Sequence, residues 1–277
     1  MPLKLMYITN NPQIATIAEG CGVDRIFIDM EYIGKEERQS GLNTVKSHHT
    51  IADIANIRSV ISSSELLVRI NPIHEKTNNY GSSKDEIEAA IDAGADILML
   101  PMIRNVGQVD EFVRLVGGRT KTMLLLETAE CNENIDEFLQ VDGIDEAHIG
   151  LNDMHLAYRK KFMFQLLTDG TVERLCVKLK NKGIPYGFGG IARLGYGMLP
   201  AEKVIMEHYR LGSTKAILSR SFCNASEMTD MEELKKLFQL ETNKIRLFEK
   251  SLENYSLQAF EENRLEVCRL VAEIANK

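Results

Sequence analysis

Short apolar runs rich in Ile, Leu, Val and Met recur along this 277-residue chain, each followed by an amphipathic stretch. Runs of this kind mark parallel strands whose sheet is covered on both faces by returning helices. Eight can be counted, at 4–9, 25–31, 65–71, 97–103, 122–127, 146–150, 185–189 and 215–219. The stretches between them carry helix stops: 84–93 ends at Gly94, 108–116 at Gly117 and 172–182 at Gly183. A glycine just past the last turn takes up the left-handed conformation that ends a helix. No dinucleotide-type glycine fingerprint follows the first run. Eight strand–helix units without it favour a closed α/β barrel, (β/α)8 or TIM type, over an open doubly wound sheet. The length suits such a barrel, which typically takes about 250 residues, plus a short addition.

That addition is legible after the eighth run. From Met231 onward the chain is rich in Glu, Lys and Leu and reads as helix, with apolar positions at Leu234, Leu237, Phe238, Ile245, Leu247 and Phe248. One helix completes the eighth unit and a second is surplus. The expected organisation is a catalytic barrel over 1–240 and a C-terminal helical extension over 241–277. The extension either packs across its own barrel or docks on a neighbouring subunit as an oligomerisation arm, and both readings stay open. A homo-oligomer is expected.

Charge narrows the partners. The formal net charge is −7, with opposite signs interspersed rather than blocked into tails, so the basic face that nucleic acid requires is not expected. The five cysteines are scattered, with no CxxC pair, and read as reduced thiols. Residues 1–10 carry no signal-peptide pattern, and no stretch approaches the ~20 apolar residues of a membrane span. A cytoplasmic location without a membrane is the expectation.

In such barrels the reactive groups lie at the C-terminal ends of strands and in the loops that follow. Glu127 ends the run MLLLE, where a lone carboxylate is costly unless a cation or a hydrogen-bond donor compensates it. Asp153 just follows the next strand, so the two carboxylates can converge on one divalent metal. Two protein oxygens, completed by water and substrate, suit Mg²⁺ or Mn²⁺ better than zinc. The bland alternatives are a helix-capping Asp153 and a Glu127 paired with a basic side chain. Arg69 closes LLVR and is placed to hold a carboxylate or a developing oxyanion, or else to form a salt bridge with Asp29 or Glu31. Gly150 and Asn152, at the end of the sixth strand, are expected beside the substrate. His48 and His49 precede Thr50 and Asp53, a helix-start pattern on the catalytic face. Of the two, His49 is the preferred general base, with His155 a third candidate. The GFGG segment 187–190 and Arg193 or Arg220 could border an anion site, or serve only tight packing at the rim.

Taken together, FIDMEY (27–32), LLVRINP (66–72), GADILMLPMIRNVGQVDEF (94–112), LLLET (124–128), HIGLNDMHL (148–156) and YGFGGIAR (186–193) resemble the HpcH/HpaI aldolase and citrate lyase family. The pieces occur in the family's order across most of residues 4–222. The resemblance implies a (β/α)8 barrel and a divalent-metal-dependent carbon–carbon lyase, a class II pyruvate-type aldolase acting on a 2-oxo acid and an aldehyde. It implies that Glu127 and Asp153 are the metal ligands and that Arg69 contacts the keto or enolate oxygen. One departure stands out. Aldolases of the family commonly carry a histidine after the glutamate of the second strand, where this chain has Tyr32 and then a long loop over 33–49. The base would then be His49, Tyr32 or a metal-bound hydroxide; the citrate-lyase side of the family also lacks that histidine. The competing functions are a citrate-lyase-like or acyl-CoA lyase and a non-catalytic barrel that only binds a ligand.

Overall fold

The structure, a computed structural model, describes residues 1–34, 48–78, 80–225, 228 and 230–276. Most of the long loop over 33–49, residues 35–47, lies outside the described residues. Eight parallel strands close on themselves in chain order, with β8 pairing back to β1. They are β1 (Lys4–Ile8), β2 (Arg25–Asp29), β3 (Glu65–Arg69), β4 (Ile97–Leu100), β5 (Lys121–Leu126), β6 (Glu146–Ile149), β7 (Tyr186–Ile191) and β8 (Lys215–Leu218). The ring is the expected (β/α)8 barrel.

Around it run α1 (Pro12–Gly20), α2 (Ile51–Arg58), α3 (Ser83–Asp92), α4 (Val106–Val116), α5 (Ala129–Glu133), α6 (Ile135–Phe138), α7 (Leu151–Ala157), α8 (Gln165–Thr168), α9 (Thr171–Lys182) and α10 (Ala201–Leu211). Gly117 and Gly183 end α4 and α9 in the left-handed region, at φ 58° and 75°. At α2 the expected start is present: the Thr50 N–H donates to the Asp53 carboxylate at 2.7 Å.

Because strand side chains alternate, every strand divides its residues between two cores. The outward set packs against the helices, as with Leu66, Val68, Leu98, Leu124 and Ile149. The inward set, Met6, Phe27, Leu67, Ile97, Met99, Met123 and Leu125, fills the middle of the barrel. Below this layer the first residues of six strands form an ionic lattice. Arg25 grips Glu146 with two bonds of 2.7 Å and Glu65 with one of 2.8 Å, Lys215 meets Glu146 at 2.8 Å, and Lys121 and Lys4 meet Glu65 at 2.6 and 3.2 Å. A Cβ on Gly187 would lie 2.4 Å from Lys215 Cγ, so the glycine makes room for that buried lysine.

After β8 come α11 (Met231–Leu252) and α12 (Leu257–Ala275). The expected division at 240/241 falls inside α11, one uninterrupted helix, because its apolar stripe of Leu234, Phe238, Ile245 and Leu252 stays buried along the whole length. α11 lies on α1, and α12 lies on α10 and α8 of the same barrel. Arg246 and Glu249 hold Leu3 at the head of β1, and Asn263 donates to Glu207 and to the Lys203 carbonyl in α10. Among the described residues no helix is long and apolar enough to cross a membrane.

Candidate active site

At the C-terminal mouth of the barrel opens a cavity of ≈ 750 Å³, bordered by Asp29, His49, Arg69, Glu127, Asn152 and Asp153 among others. Its floor is the apolar middle layer, through Phe27, Met99 and Leu125. A volume of this order is that of a small-molecule site, where roughly 300–1,000 Å³ is usual.

Glu127 follows the last residue of β5 and is buried. One oxygen accepts the Met102 N–H at 3.1 Å. Burial, then the charges of Asp153 and Glu31, push its carboxyl well above the ordinary range, with Arg69 opposing them. Asp153 sits in the first turn of α7, where helical N–H groups favour an anion. Glu127 and Asp153 border one cavity, and a divalent cation between them would relieve the burial and the repulsion that hold Glu127 toward its protonated form. Among the described residues no group of three or more His, Cys, Asp or Glu gathers as a metal cluster. A cation held by these two carboxylates would take the rest of its oxygens from water and substrate, an arrangement common for Mg²⁺.

Arg69, the last residue of β3, is held by two acids. Nε and Nη2 donate to the Asp29 carboxylate at 2.8 Å each, and Nη1 lies 3.3 Å from Glu31. The salt bridge weighed from the sequence is present with both partners, yet the side chain still borders the cavity. Burial would weaken the guanidinium charge, but Asp29 and Glu31 hold its pKa far above the usual value.

His49 borders the cavity, and its Nδ1 accepts the Asp29 backbone N–H at 3.0 Å. His48 is exposed. His155 turns its Nδ1 to the carbonyls of Leu151 and Asn152 in its own helix and does not border the cavity. Tyr32, 40% exposed, packs its ring against Tyr80 outside the cavity, and burial, then Glu86 and Tyr80, raise its phenol. Gly150 gives its N–H to the Leu126 carbonyl and its own carbonyl to the Met154 N–H, so both polar groups serve the scaffold. Arg220 borders the cavity. Arg193 does not: its guanidinium stacks on Tyr196 at 3.8 Å.

Three contributors escaped the sequence reading. Met102 takes a left-handed backbone, φ 51°, which is uncommon for a residue with a side chain and brings its N–H onto Glu127. Asn71 accepts the N–H groups of Tyr32 and Ile33, fixing the chain as it leaves β2. His148, inside the barrel, donates from Nε2 to the Gly189 carbonyl at 3.1 Å; burial, then the charge of Lys215, pulls it down to about 3, so it is neutral. A left-handed methionine leaves no mark in the sequence. The D-x-E pair closing the second run was a visible signal, since inward positions two apart share a face or its rim.

The fold and this mouth define a (β/α)8-barrel protein with an acid-rich pocket of small-molecule size. The family model for HpcH/HpaI aldolase/citrate lyase matches residues 4–163, more than half of the chain, and the chain belongs to that family of aldolases and lyases. Its members generally use divalent metal ions. Two solved structures share the fold. One is a HpcH/HpaI aldolase/citrate lyase family protein from Burkholderia cenocepacia J2315, 16% identical, TM-score 0.62, covering 84% of this chain and 95% of that one. The other is a HpcH/HpaI aldolase from Desulfitobacterium hafniense DCB-2, 18% identical, TM-score 0.57, covering 79% and 86%. No curated protein matches the chain.

Proposed function

We propose that the chain is a divalent-metal-dependent carbon–carbon lyase that forms or cleaves a bond next to a 2-oxo acid through a pyruvate-type enolate. The observation that carries this reading is the meeting of Glu127, Asp153 and Arg69 at one cavity, with Glu127 driven up by burial and then by its acidic neighbours. Glu127 and Asp153 would hold Mg²⁺ or Mn²⁺, which when bound supplies Lewis-acid polarisation of the keto oxygen and so acidifies the adjacent C–H.

The chain's own residues do the rest. Arg69 presents a fixed positive charge to the oxygen that becomes an enolate oxygen, and Asp29 and Glu31 hold the guanidinium in place before substrate arrives. Phe27, Met99 and Leu125 close the floor to water, which strengthens the charge interactions above them. Asn152, exposed at the rim, is assigned to the substrate carboxylate. The second substrate is an aldehyde, for which the cavity has room beyond a three-carbon acid. Tyr32 is not in this assembly, and the cavity instead has His49 at its edge, which favours catalysis over a barrel that only binds.

The test is proton exchange. With Mg²⁺ or Mn²⁺ the protein should exchange deuterium from water into the methyl group of pyruvate, followed by NMR. Glu127→Gln and Asp153→Asn should reduce the exchange to background while circular dichroism and melting remain those of a folded barrel. Undiminished exchange in either folded variant removes the assignment.

A further inference from the structure

The cavity at the barrel mouth is larger than the acidic site within it. Asp29, Arg69, Glu127 and Asp153 border it from the ends of β2, β3, β5 and β6. The same cavity continues over the ends of β8 and β1, and in a closed ring of eight β1 stands opposite β5. There its wall changes character. Tyr7 and Ile8 of β1, Ile217 of β8, Ile14 of α1 and Met231 at the start of α11 border it, joined by Met163 from the segment after α7.

Three polar side chains among them already serve the scaffold. Asn11 Oδ1 accepts the N–H groups of Gln13 and Ile14, Thr9 Oγ1 accepts that of Asn11, and the Tyr7 hydroxyl donates to the Cys223 carbonyl. Of the rest, Asn10 and Arg220 are exposed and Ser219 and Asn224 half-buried, a wet rim around an apolar wall. A carboxylate or a polyhydroxylated chain laid against Ile8, Ile14 and Ile217 would lose its hydration without gaining partners. A hydrocarbon chain there is stabilised by leaving water.

We propose that this wall receives the tail of the second substrate, so that the aldehyde joined to or released from the 2-oxo acid carries a hydrocarbon chain or ring instead of an acidic or polyhydroxylated one. The assignment deepens the enolate reading and rests on it. The aldehyde carbon has to meet the enolate beside Arg69. A chain running from there toward β1 crosses the apolar floor of Phe27 and Leu125 and reaches Ile8 and Ile217, which pack on that same layer. Met163 and Met231 are unbranched and flexible, and adapt to tails of different shape.

Two measurements test the assignment. Addition of pyruvate to propionaldehyde, butanal, pentanal and hexanal with Mg²⁺ should gain about fourfold in kcat/KM per added CH₂, the ~0.8 kcal/mol of a buried methylene. Succinate semialdehyde, with as many carbons as butanal, should be the poorer substrate of the two. A flat series, or succinate semialdehyde ahead of butanal, overturns the proposal. Met231→Asp puts a charge on the wall at a helix start, where an acidic residue is tolerated. It should cut the hexanal-to-propionaldehyde ratio at least about tenfold, three buried methylenes being worth about 60-fold. Measured in one preparation, that ratio does not depend on the folded or metal-loaded fraction, and an unchanged ratio is contrary. The second readout needs no catalysis. In protein carrying ¹³C-methyl methionine, hexan-1-ol should shift the Met163 and Met231 resonances, assigned by their loss in Met163→Leu and Met231→Leu, and glycerol should not. Unmoved resonances, or equal shifts with glycerol, overturn the apolar subsite. If the parent protein shows neither pyruvate exchange nor addition, the enolate reading falls, and the subsite is then decided by the methyl shifts.

Discussion

A methyl group on Gly150 would lie 2.8 Å from Glu127 Cβ and 2.9 Å from its Oε2. Contacts that short must be relieved, and the carboxylate is the part able to turn. Gly150→Ala should weaken Mg²⁺ or Mn²⁺ binding by about 10- to 100-fold, the usual effect of disturbing a ligand's support, with both carboxylates still in place. Titration calorimetry checks it, and unaltered affinity would show that the carboxylate does not need that space. At this scale the sequence was informative wherever strand position alone sets a residue's direction. Glu127, Asp153 and Arg69 could be named because each ends a strand or follows one. Roles that depend on backbone conformation or on a loop's return path were not legible. Met102 and Asp29 giving their backbone N–H groups to Glu127 and His49 are of this second kind. His49 was singled out by the helix start beside it, while its place at the rim of the cavity and the bond from Asp29 needed the structure.

Element by element, all eight strands lie where apolar runs predicted them, yet most stop one to three residues early. Thr9, Glu31, Asn71 and Gly150 continue the chain past the ends of the strands, and of these Thr9 and Gly150 line the mouth. The seventh strand instead runs longer than its apolar run, to Ile191, with a register shift between Gly187 and Gly190. The C-terminal helices held the open question, because an apolar stripe does not say whose surface it covers. Here α12 settles onto α10, and the buried Asn263 donates to the buried Glu207. Asn263→Leu should leave Glu207 short of a partner and destabilise the chain by about 1–3 kcal/mol, read from urea unfolding. A loss below about 0.5 kcal/mol would mean that the bond contributes little to holding α12.

For the whole molecule, the barrel interior is stacked in three tiers: an ionic lattice at the strand beginnings, an apolar middle and a reactive mouth. Register carries this order, since Arg25, Phe27 and Asp29 of one strand face Glu65, Leu67 and Arg69 of the next. Charges at strand starts read in the sequence as ordinary flanks, and only strand pairing reveals that they meet. Burial would raise Glu65 and Glu146, but Lys121 and Arg25 hold the first at about 2, and Arg25 and Lys215 hold the second at about 2. Burial also pulls Lys215 down to about 8 despite the adjacent Glu146, a value that leaves it charged wherever these carboxylates titrate. Depressed carboxylates stabilise the fold above their unfolded values and lose that contribution as protons return. Stability should therefore fall as pH drops from about 4.5 to about 2, by on the order of 2 kcal/mol per group, with chelator present throughout. Denaturant unfolding across that range checks it, and a level profile would be contrary. The ring itself closes between the far ends of the chain: β1 pairs with β8, while Glu249 accepts the Leu3 N–H and Arg246 donates to the Leu3 carbonyl. The entropy of joining such distant segments grows only slowly with their separation, so one seam and its clasp share a single closure. Opening at Leu3 would release strand pairing and helix docking at the same moment, which makes this edge the place where the cylinder yields as a unit.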